Sequence, residues 1–489
     1  MTGYPMLSIT AFLPLAGAVL ILILGGARRT RWIALATTVL TLATSVALLG
    51  GFDKSVTALQ WVESAEWIPA WSLSYGMGVD GISLPFILLA ALLSVLCVGV
   101  SWKSIRTRQR EFYAALLVAE TAMLGLFAAA NLFVFFVFWE LILIPLFLLI
   151  GIWGGPGRVY ASIKFLMFSL TGSVLMLVGM IALHNATGTL DFKALMLARE
   201  GLSVTSQGWL FAAFLAAFAV KVPMFPLHTW LPDAHTEAPT AGSVILAGIL
   251  LKMGAYGFLR VSLPILPEGV QLFLTPMLVI SAVAIVYGAY VTLMQTDIKR
   301  LIAYSSISHM GFVTLGIFTL EPSGVEGAIL QMINHGIISA ALFLCVGMIY
   351  ERTHTRQIAD YGGVVKRAPV YSALLAFFCL AATGFPGLNS FVGEFLIVGA
   401  AFDTKVWLGA AAIWGVALGT AYMVWLYYRV VMGEPNPGLS EFKLELGIRE
   451  VATLAPLALL ALCLGLYPEL VLSYLRAPVA SLLAMGGLP

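Results

Sequence analysis

Lysine at the depth of a lipid bilayer is the feature that most restricts what this chain can become. Between Phe218 and Gly257 the sequence FAVKVPMFPLHTWLPDAHTEAPTAGSVILAGILLKMGAYG sets Lys221 and Lys252 inside apolar segments. It fills the interval with Pro223, Pro226, Pro232 and Pro239, with His228 and His235, and with Asp233 and Glu237. The apolar runs on both flanks are long enough to cross a membrane, so both ammonium groups lie within it. An ammonium near the bilayer centre costs about 2.5–3.5 kcal/mol on insertion scales, so such a residue faces a wet interior with partners rather than acyl chains. Each proline removes a backbone donor and clashes with the preceding turn, so the Lys221 helix breaks between Pro223 and Pro239. Broken backbone at that depth survives only against protein or water.

Composition agrees with membrane depth along most of the chain. Of 489 residues, 61% are hydrophobic and 10% charged, and the mean hydropathy is +0.98, whereas about a quarter of the residues of soluble chains are charged. The fold class is therefore an all-α polytopic membrane protein. The first apolar run, Met6 to Leu24, has no basic segment before it and no small-residue cleavage site after it, so it is expected to stay as a span. A net charge of +2 gives no reason to expect a nucleic-acid partner. Cys97, Cys345, Cys379 and Cys463 stand singly in apolar segments without C-x-x-C spacing, which speaks against iron–sulfur clusters and structural zinc. Neither a G-x-G-x-x-G turn after a strand nor a phosphate-binding P-loop is present, so no cofactor and no metal is expected on this chain.

Apolar windows of about twenty residues divide the chain into about fourteen spans. Their approximate positions are 6–26, 31–50, 81–101, 112–130, 132–151, 160–183, 208–240, 242–263, 270–294, 298–319, 325–350, 370–402, 405–431 and 449–474. The seventh contains the prolines described above. The twelfth is interrupted by TGFPGLNSFVGE, Thr383 to Glu394, where three glycines and Pro386 break the run. An odd separation of five spans means that a repeated five-helix unit returns upside down, as spans 4–8 and then 9–13. Paired interruptions at matching places in two inverted repeats point to an ion or substrate site between them. The corresponding division is an N-terminal three-helix segment 1–111, a first repeat 112–263, a second repeat 270–431, and a loop with a last span over 432–489. Most basic residues, beginning with Arg28, Arg29 and Arg31, collect in connections of one side, which sets that side in the cytoplasm and both termini opposite. The longest outer connection, Gly51 to Asp80, reads as an interfacial loop anchored by Trp61, Trp67 and Trp71.

The remaining ionisable groups inside spans define the candidate site. Glu140, in FVFFVFWELILIPLF, is a deep carboxylate that either counters a lysine structurally or forms with Lys221 a pair whose proton affinity is tunable. Lys221 and Lys252 each have the alternative of snorkelling toward an interface. Glu394 follows the second break, where it either takes part in proton transfer or stabilises the amino end of the second half-helix. His309 and His335 fall on consecutive spans with Ser305, Ser306, Ser308 and Asn334 nearby; they are satisfied core residues or members of a hydrated relay. His228 and His235 sit in the first break, as hinge or relay residues, and the role of Glu120, in LLVAETAML, stays open between packing and chemistry. A substrate pocket concentrates titratable groups, whereas Glu140, Lys221, Lys252, His309, His335 and Glu394 are spread one or two per span, which favours proton translocation.

The stretch from Val220 to Gly257, together with FWELILIP, SSISHMG, INHGIISAALFL and GFPGLNSFVGEF, resembles the antiporter-like membrane subunits of respiratory complex I, the NADH:quinone oxidoreductase, over nearly the whole chain. That resemblance implies a proton-translocating subunit of a multi-pass, energy-transducing membrane such as the bacterial plasma membrane. NADH, FMN, iron–sulfur clusters and quinone would then sit on partner subunits, and sister antiporter-like subunits of the membrane arm would be neighbours in the bilayer. It further implies Glu140 and Lys221 as a coupling pair, Lys252 as the central relay group, His309 and His335 as its continuation, and Glu394 as the last group of the line. Two other readings compete: a subunit of a multisubunit cation/proton antiporter without redox partners, and a structural bundle whose polar residues are packing contacts worth about 1 kcal/mol each.

Overall fold

The computed structural model describes residues 5–69 and 73–486, so Trp71 lies outside the described residues. Among these, 13 helices are long and apolar enough to cross a membrane. The remaining span is the interrupted twelfth, present as α17 (Pro369–Ala382) and α18 (Asn389–Thr404), numbering helices along the chain. Two amino-terminal spans, α1 (Met6–Leu24) and α2 (Ala27–Ala47), lead to α3 (Leu84–Ser104) and α4 (Gln109–Ala128). The fifth span kinks into α5 (Leu132–Leu141) and α6 (Leu143–Trp153). Pro145, four residues beyond Leu141, supplies no N–H to the Leu141 carbonyl and crowds it, which accounts for the bend.

After α7 (Arg158–Thr187) and a short helix α8 (Phe192–Ala198), the seventh span is interrupted as the prolines require: α9 (Val204–Lys221) stops at the lysine and α10 (Trp230–Glu237) resumes after Pro223 and Pro226. The eighth span runs over Thr240–Ile265 as α11 (Thr240–Ile245), α12 (Leu251–Gly257) and α13 (Leu263–Ile265), joined by π-helical turns at Leu246–Leu250 and Phe258–Ser262. A π turn inserts one residue into the helical ladder and re-aims everything beyond it, and such turns gather at functional positions. Lys252 lies between the two. Next come α14 (Pro267–Leu293), α15 (Ile298–Phe318), α16 (Pro322–Thr353), the split twelfth span, α19 (Val406–Val431) and α20 (Ile448–Leu466).

Two expectations from sequence are corrected. The 51–80 connection is not a loop but an antiparallel hairpin of β1 (Gln60–Ile68) and β2 (Leu73–Val79), paired from Gln60 with Val79 to Ile68 with Leu73. Its inner strand buries Met77 and Val79 completely. The Glu63 carboxylate of the outer strand accepts from the Leu7 and Ser8 amides at 2.7 and 3.0 Å, satisfying the open donors at the amino end of α1. The last span ends at Leu466 rather than near 474. Pro468 disfavours helix at the residue before it, and a separate helix α21 (Glu469–Gly486) packs back on α13 and α16.

The helices divide by what surrounds them. In the most apolar stretch of α16 every residue is buried, and for α15 and the eighth span the share is 94%, against 33–39% for α1, α2, α7 and α20. Three helices therefore form an interior with almost no lipid-facing surface, and they carry Lys252, His309 and His335. Tight backbone packing holds the Lys221 half-helix against this interior: a Cβ placed on Gly254 would stand 2.8 Å from the Phe218 carbonyl oxygen and 3.0 Å from the Val222 nitrogen. Gly254→Val is expected to cost about 1–3 kcal/mol by overpacking. It should lower the temperature at which the detergent-solubilised protein unfolds, whereas Gly399→Ala, which projects into open space, leaves that temperature unchanged or raises it.

Candidate functional site

Lys252 is fully buried, and its ammonium makes two contacts. It donates to the carbonyl of Ala247, inside the first π turn, and it lies 2.7 Å from Nδ1 of His335 on α16. The widened turn frees that carbonyl from a regular helical bond and presents it to the lysine of its own helix. From His335 the line continues to His309 on α15, the two rings standing 5.5 Å apart between centroids. His309 Nδ1 is 3.3 Å from Glu394 Oε1, an ion-pair distance outside hydrogen-bond geometry. Its other nitrogen, Nε2, is 3.4 Å from the Tyr422 hydroxyl on α19. All five side chains are at most 7% exposed.

Glu394 sits in the first turns of α18, where the second break delivers it to the interior. Gln331 Nε2 donates to Glu394 Oε1 at 2.9 Å. Gly384, at φ +68°, leaves room for the other oxygen: a Cβ there would stand 2.6 Å from Oε2. Both the backbone angle and the space require glycine. Asn334 and Asn389 exchange side-chain donors for each other's carbonyl oxygens, at 2.7 and 3.4 Å, and pin the start of α18 to α16. Cavities of about 10 Å³ lie on either side of His309, one reaching Ser305 and His335, the other Ser308, Glu394 and Tyr422. Each is about the size of one water.

The first half of the candidate site is organised differently. Lys221 is 1% exposed and donates to the Trp139 carbonyl at 2.9 Å, with its ammonium 3.7 Å from the centre of the Trp139 ring. Glu140, on the next residue of α5, faces the same ammonium electrostatically but is not within ion-pair distance, and its Oε1 is buried without a partner. The backbone carbonyl and the indole face hold the lysine, and the carboxylate acts on it across a gap. Among the described residues no bonded side chain links Lys221 to Lys252.

Several residues lie elsewhere than their place in the sequence suggests. In space His335 precedes His309, the reverse of chain order. His228 is stacked among Phe225 and Tyr287 on the far side of the break and does not join the line. His235 is the histidine of the break that faces the interior: it stacks on Phe343 at 4.8 Å, its two ring nitrogens are buried without partners, and the charges of Lys252 and Lys299 act on it. Gln331 and Tyr422 were not anticipated. Gln331 lies four residues before His335, hence on the same face of α16, and that spacing is the signal for it; Tyr422 has none.

The basic ends of the helices surround a cavity of about 1020 Å³ lined by Lys103, Ser104, Glu237, Lys299, Arg352 and Arg449 among others. Ion pairs brace its walls: Arg352 with Glu450 at 2.6 Å, Arg356 with Asp297 at 3.2 Å and, on the neighbouring face, Lys164 with Asp233 at 2.7 Å. At the opposite end Arg260 closes the eighth span against Asp80 at 2.8 Å, with the Tyr256 hydroxyl accepting from Arg260 Nε at 3.0 Å.

Comparison with known proteins gives a consistent picture. The family described as "NADH:quinone oxidoreductase/Mrp antiporter, TM" matches residues 129–419. NADH-quinone oxidoreductase subunit M of Rhodobacter capsulatus is 48% identical over 98% of this chain and 96% of its own. A chain of respiratory complex I from Thermus thermophilus superposes with a TM-score of 0.89 at 32% identity, covering 98% of this chain and 99% of that one. A chain of the Mrp complex from Dietzia sp. shares the fold, with a TM-score of 0.89 at 22% identity over 99% of this chain and 98% of that one.

Direct coupling between His309 and Glu394 has a measurable consequence. In a double-mutant cycle of His309→Ala and Glu394→Gln, read as ion-translocation rate in vesicles, the double variant should be no slower than the slower single variant, because groups acting as one unit are not additive. Multiplicative losses would show that the two act separately.

Proposed function

The chain belongs to the NADH:quinone oxidoreductase/Mrp antiporter family of transmembrane subunits, and from that premise we propose that it is the subunit M (chain 4) type of membrane-arm subunit in an NADH:quinone oxidoreductase, moving protons across the bilayer while electrons pass elsewhere in the complex. The observation that carries the proposal is the line Lys252, His335, His309, Glu394, in which Lys252 bonds His335, the two rings stand 5.5 Å apart and His309 lies 3.3 Å from Glu394, with the first three members on helices with almost no lipid-facing surface. A structural bundle has no need to place a lysine against a histidine and a histidine against a carboxylate where each desolvated charge is costly.

In this reading Lys252 holds a proton between its two contacts and yields it to His335 Nδ1. The tautomer of each ring decides which nitrogen receives and which gives. His309 passes the proton toward Glu394, with Gln331 holding the carboxylate in place and water-sized cavities completing the contacts. Glu140 and Lys221 form the coupling element: protonation of Glu140 removes the negative charge that faces Lys221, and the lysine's hold on its own proton weakens. The broken α9/α10 and α17/α18 spans mark equivalent places in two inverted five-helix units, residues 112–263 and 270–431, and the pieces 1–111 and 432–489 flank them. The basic face is cytoplasmic and both termini lie on the other side. The redox groups, NADH, FMN, iron–sulfur clusters and quinone, reside on other chains, and this chain has no redox site or metal of its own.

Lys252→Ala in the assembled complex should abolish proton pumping by reconstituted vesicles and most coupled quinone reduction, while native gels still show the full-size complex. Pumping at the wild-type rate overturns the proposal. Companion chains decide against the antiporter alternative: flavin- and cluster-bearing subunits should co-purify with this chain. A reagent that cannot cross the membrane should label a cysteine placed at the amino terminus from the non-cytoplasmic side only.

A further inference from the structure

Glu120 is the one deep carboxyl to which the line above assigns no part. It sits in the middle of α4, is 0% exposed, and both of its oxygens are buried without a hydrogen-bond partner. Ser94 and Cys97 of α3 are its polar neighbours. The Ser94 hydroxyl donates instead to the Ala90 carbonyl at 2.9 Å, and the Cys97 thiol points to the Ala241 carbonyl, at 3.6 Å, at the start of the eighth span. A salt-bridged or capping carboxyl is not found this way. An ionised carboxylate whose neighbouring hydroxyl and thiol are committed to backbone carbonyls is costly to bury, so the partner this geometry leaves open is a proton.

The proton has a route. Along α3, Ser94, Cys97, Ser101 and Ser104 recur at intervals of three and four residues, which sets them in one stripe on a helix whose one charged residue is Lys103, in the last turn. Ser104 lines the 1020 Å³ cavity at the basic face together with Glu351 and Arg449. Glu351 lies beside Ser104 and keeps Oε1 buried and unpartnered, and Arg449 does the same with Nη1. Successive groups of such a stripe are about 5–6 Å apart, a distance that one bridging water spans. The serine hydroxyls at 94 and 104 donate back to carbonyls one turn earlier, which leaves their lone pairs to accept from that water.

We infer that Glu120 is a proton-holding carboxyl served from the basic-face cavity by the Ser104–Ser101–Cys97–Ser94 stripe of α3, a second route beside the Lys252 line. The inference rests on the proton-translocation reading above and adds a loading group to it. A proton leaves a hydronium ion in the cavity, which becomes water, and joins a Glu120 oxygen; nothing is oxidised or reduced, and the reverse step restores the carboxylate beside Ser94 and Cys97 of α3. Few other charges act on this carboxyl. Of the elements packed on α4, α1 and α6 contain no ionisable residue, the arginines of α2 sit at its basic end with Arg31 beside Tyr113, α5 offers only Glu140, which faces Lys221, and β2 offers only Tyr75, bonded to Ser8. From α3, Cys97 is the titratable neighbour, and Lys103 sits in the last turn of the helix at the basic-face cavity.

The test uses the whole complex in vesicles, with infrared difference spectra taken between rest and NADH-driven turnover and with pumping rates followed against cytoplasmic pH. Glu120→Gln should remove one carboxyl band from the difference spectrum and make the pumping rate fall at a less alkaline pH than in the wild type, as proton supply becomes limiting. Ser101→Val leaves the carboxyl in place and interrupts the stripe. It should slow the appearance of the same band and shift the pH profile in the same direction, and it decides the matter alone should the glutamine variant fail to assemble. Unchanged spectra and pH profile in the assembled variants overturn the inference. With Lys252→Ala run in parallel, loss of pumping there but wild-type behaviour at Glu120 and Ser101 refutes only the loading role; full pumping in Lys252→Ala refutes the reading beneath it.

Discussion

One contact governs the interior of this protein: the ammonium of Lys252 against the imidazole of His335. A lysine removed from water is so unfavourable that it fixes what may stand around it. It must have acceptors, which the π turn and the histidine provide. It must also be kept from lipid, and the three helices that meet there are buried on every side. The breaks follow from the same demand, since Glu394 reaches the line only because Gly384 and its neighbours interrupt a span.

The two halves of the candidate site meet that demand with different chemistry. In the second half, polar groups stand close in sequence: Lys252 bonds His335, the two imidazole rings are 5.5 Å apart, and His309 lies at ion-pair distance from Glu394. In the first half, Lys221 is held by a carbonyl and an indole face, and its carboxylate stands off. Coulomb interaction is larger at any given distance in a medium of low dielectric. A carboxylate across a gap therefore still sets the energy of the lysine's charge, without the tight geometry that would lock the proton in place. Contact suits transfer, and separation suits control.

Much of this is legible in the residues before any coordinates. Apolar windows locate the spans, prolines and glycines locate both breaks, and the cost of burial singles out Lys221, Lys252, Glu140 and Glu394. What hydropathy leaves unread is order and contact. His309 precedes His335 in the chain, yet His335 is the one on Lys252, because helix packing rather than sequence order decides which face meets which. His228 and His235 share one break, and only packing tells which turns inward: His235 on α10 meets Phe343, while His228, ahead of α10, meets Phe225 and Tyr287. The β-hairpin at 60–79 is short, and its alternation is blurred by the bulges where its register shifts, so it reads as loop. Tyr422 comes from α19, remote in sequence from everything it touches.

The burial of α15, α16 and the eighth span also bears on how the chain is made. Lys252 leaves the ribosome 83 residues ahead of the histidine that receives it, an interval on the order of ten seconds at ordinary elongation rates. During that time the lysine has no histidine, and the helices that later wall it off do not yet exist. Insertion of the eighth span must therefore be followed by a holding stage, beside the translocation machinery or earlier spans, until α16 arrives. Biogenesis of the subunit is a matter of timing as much as of hydrophobicity.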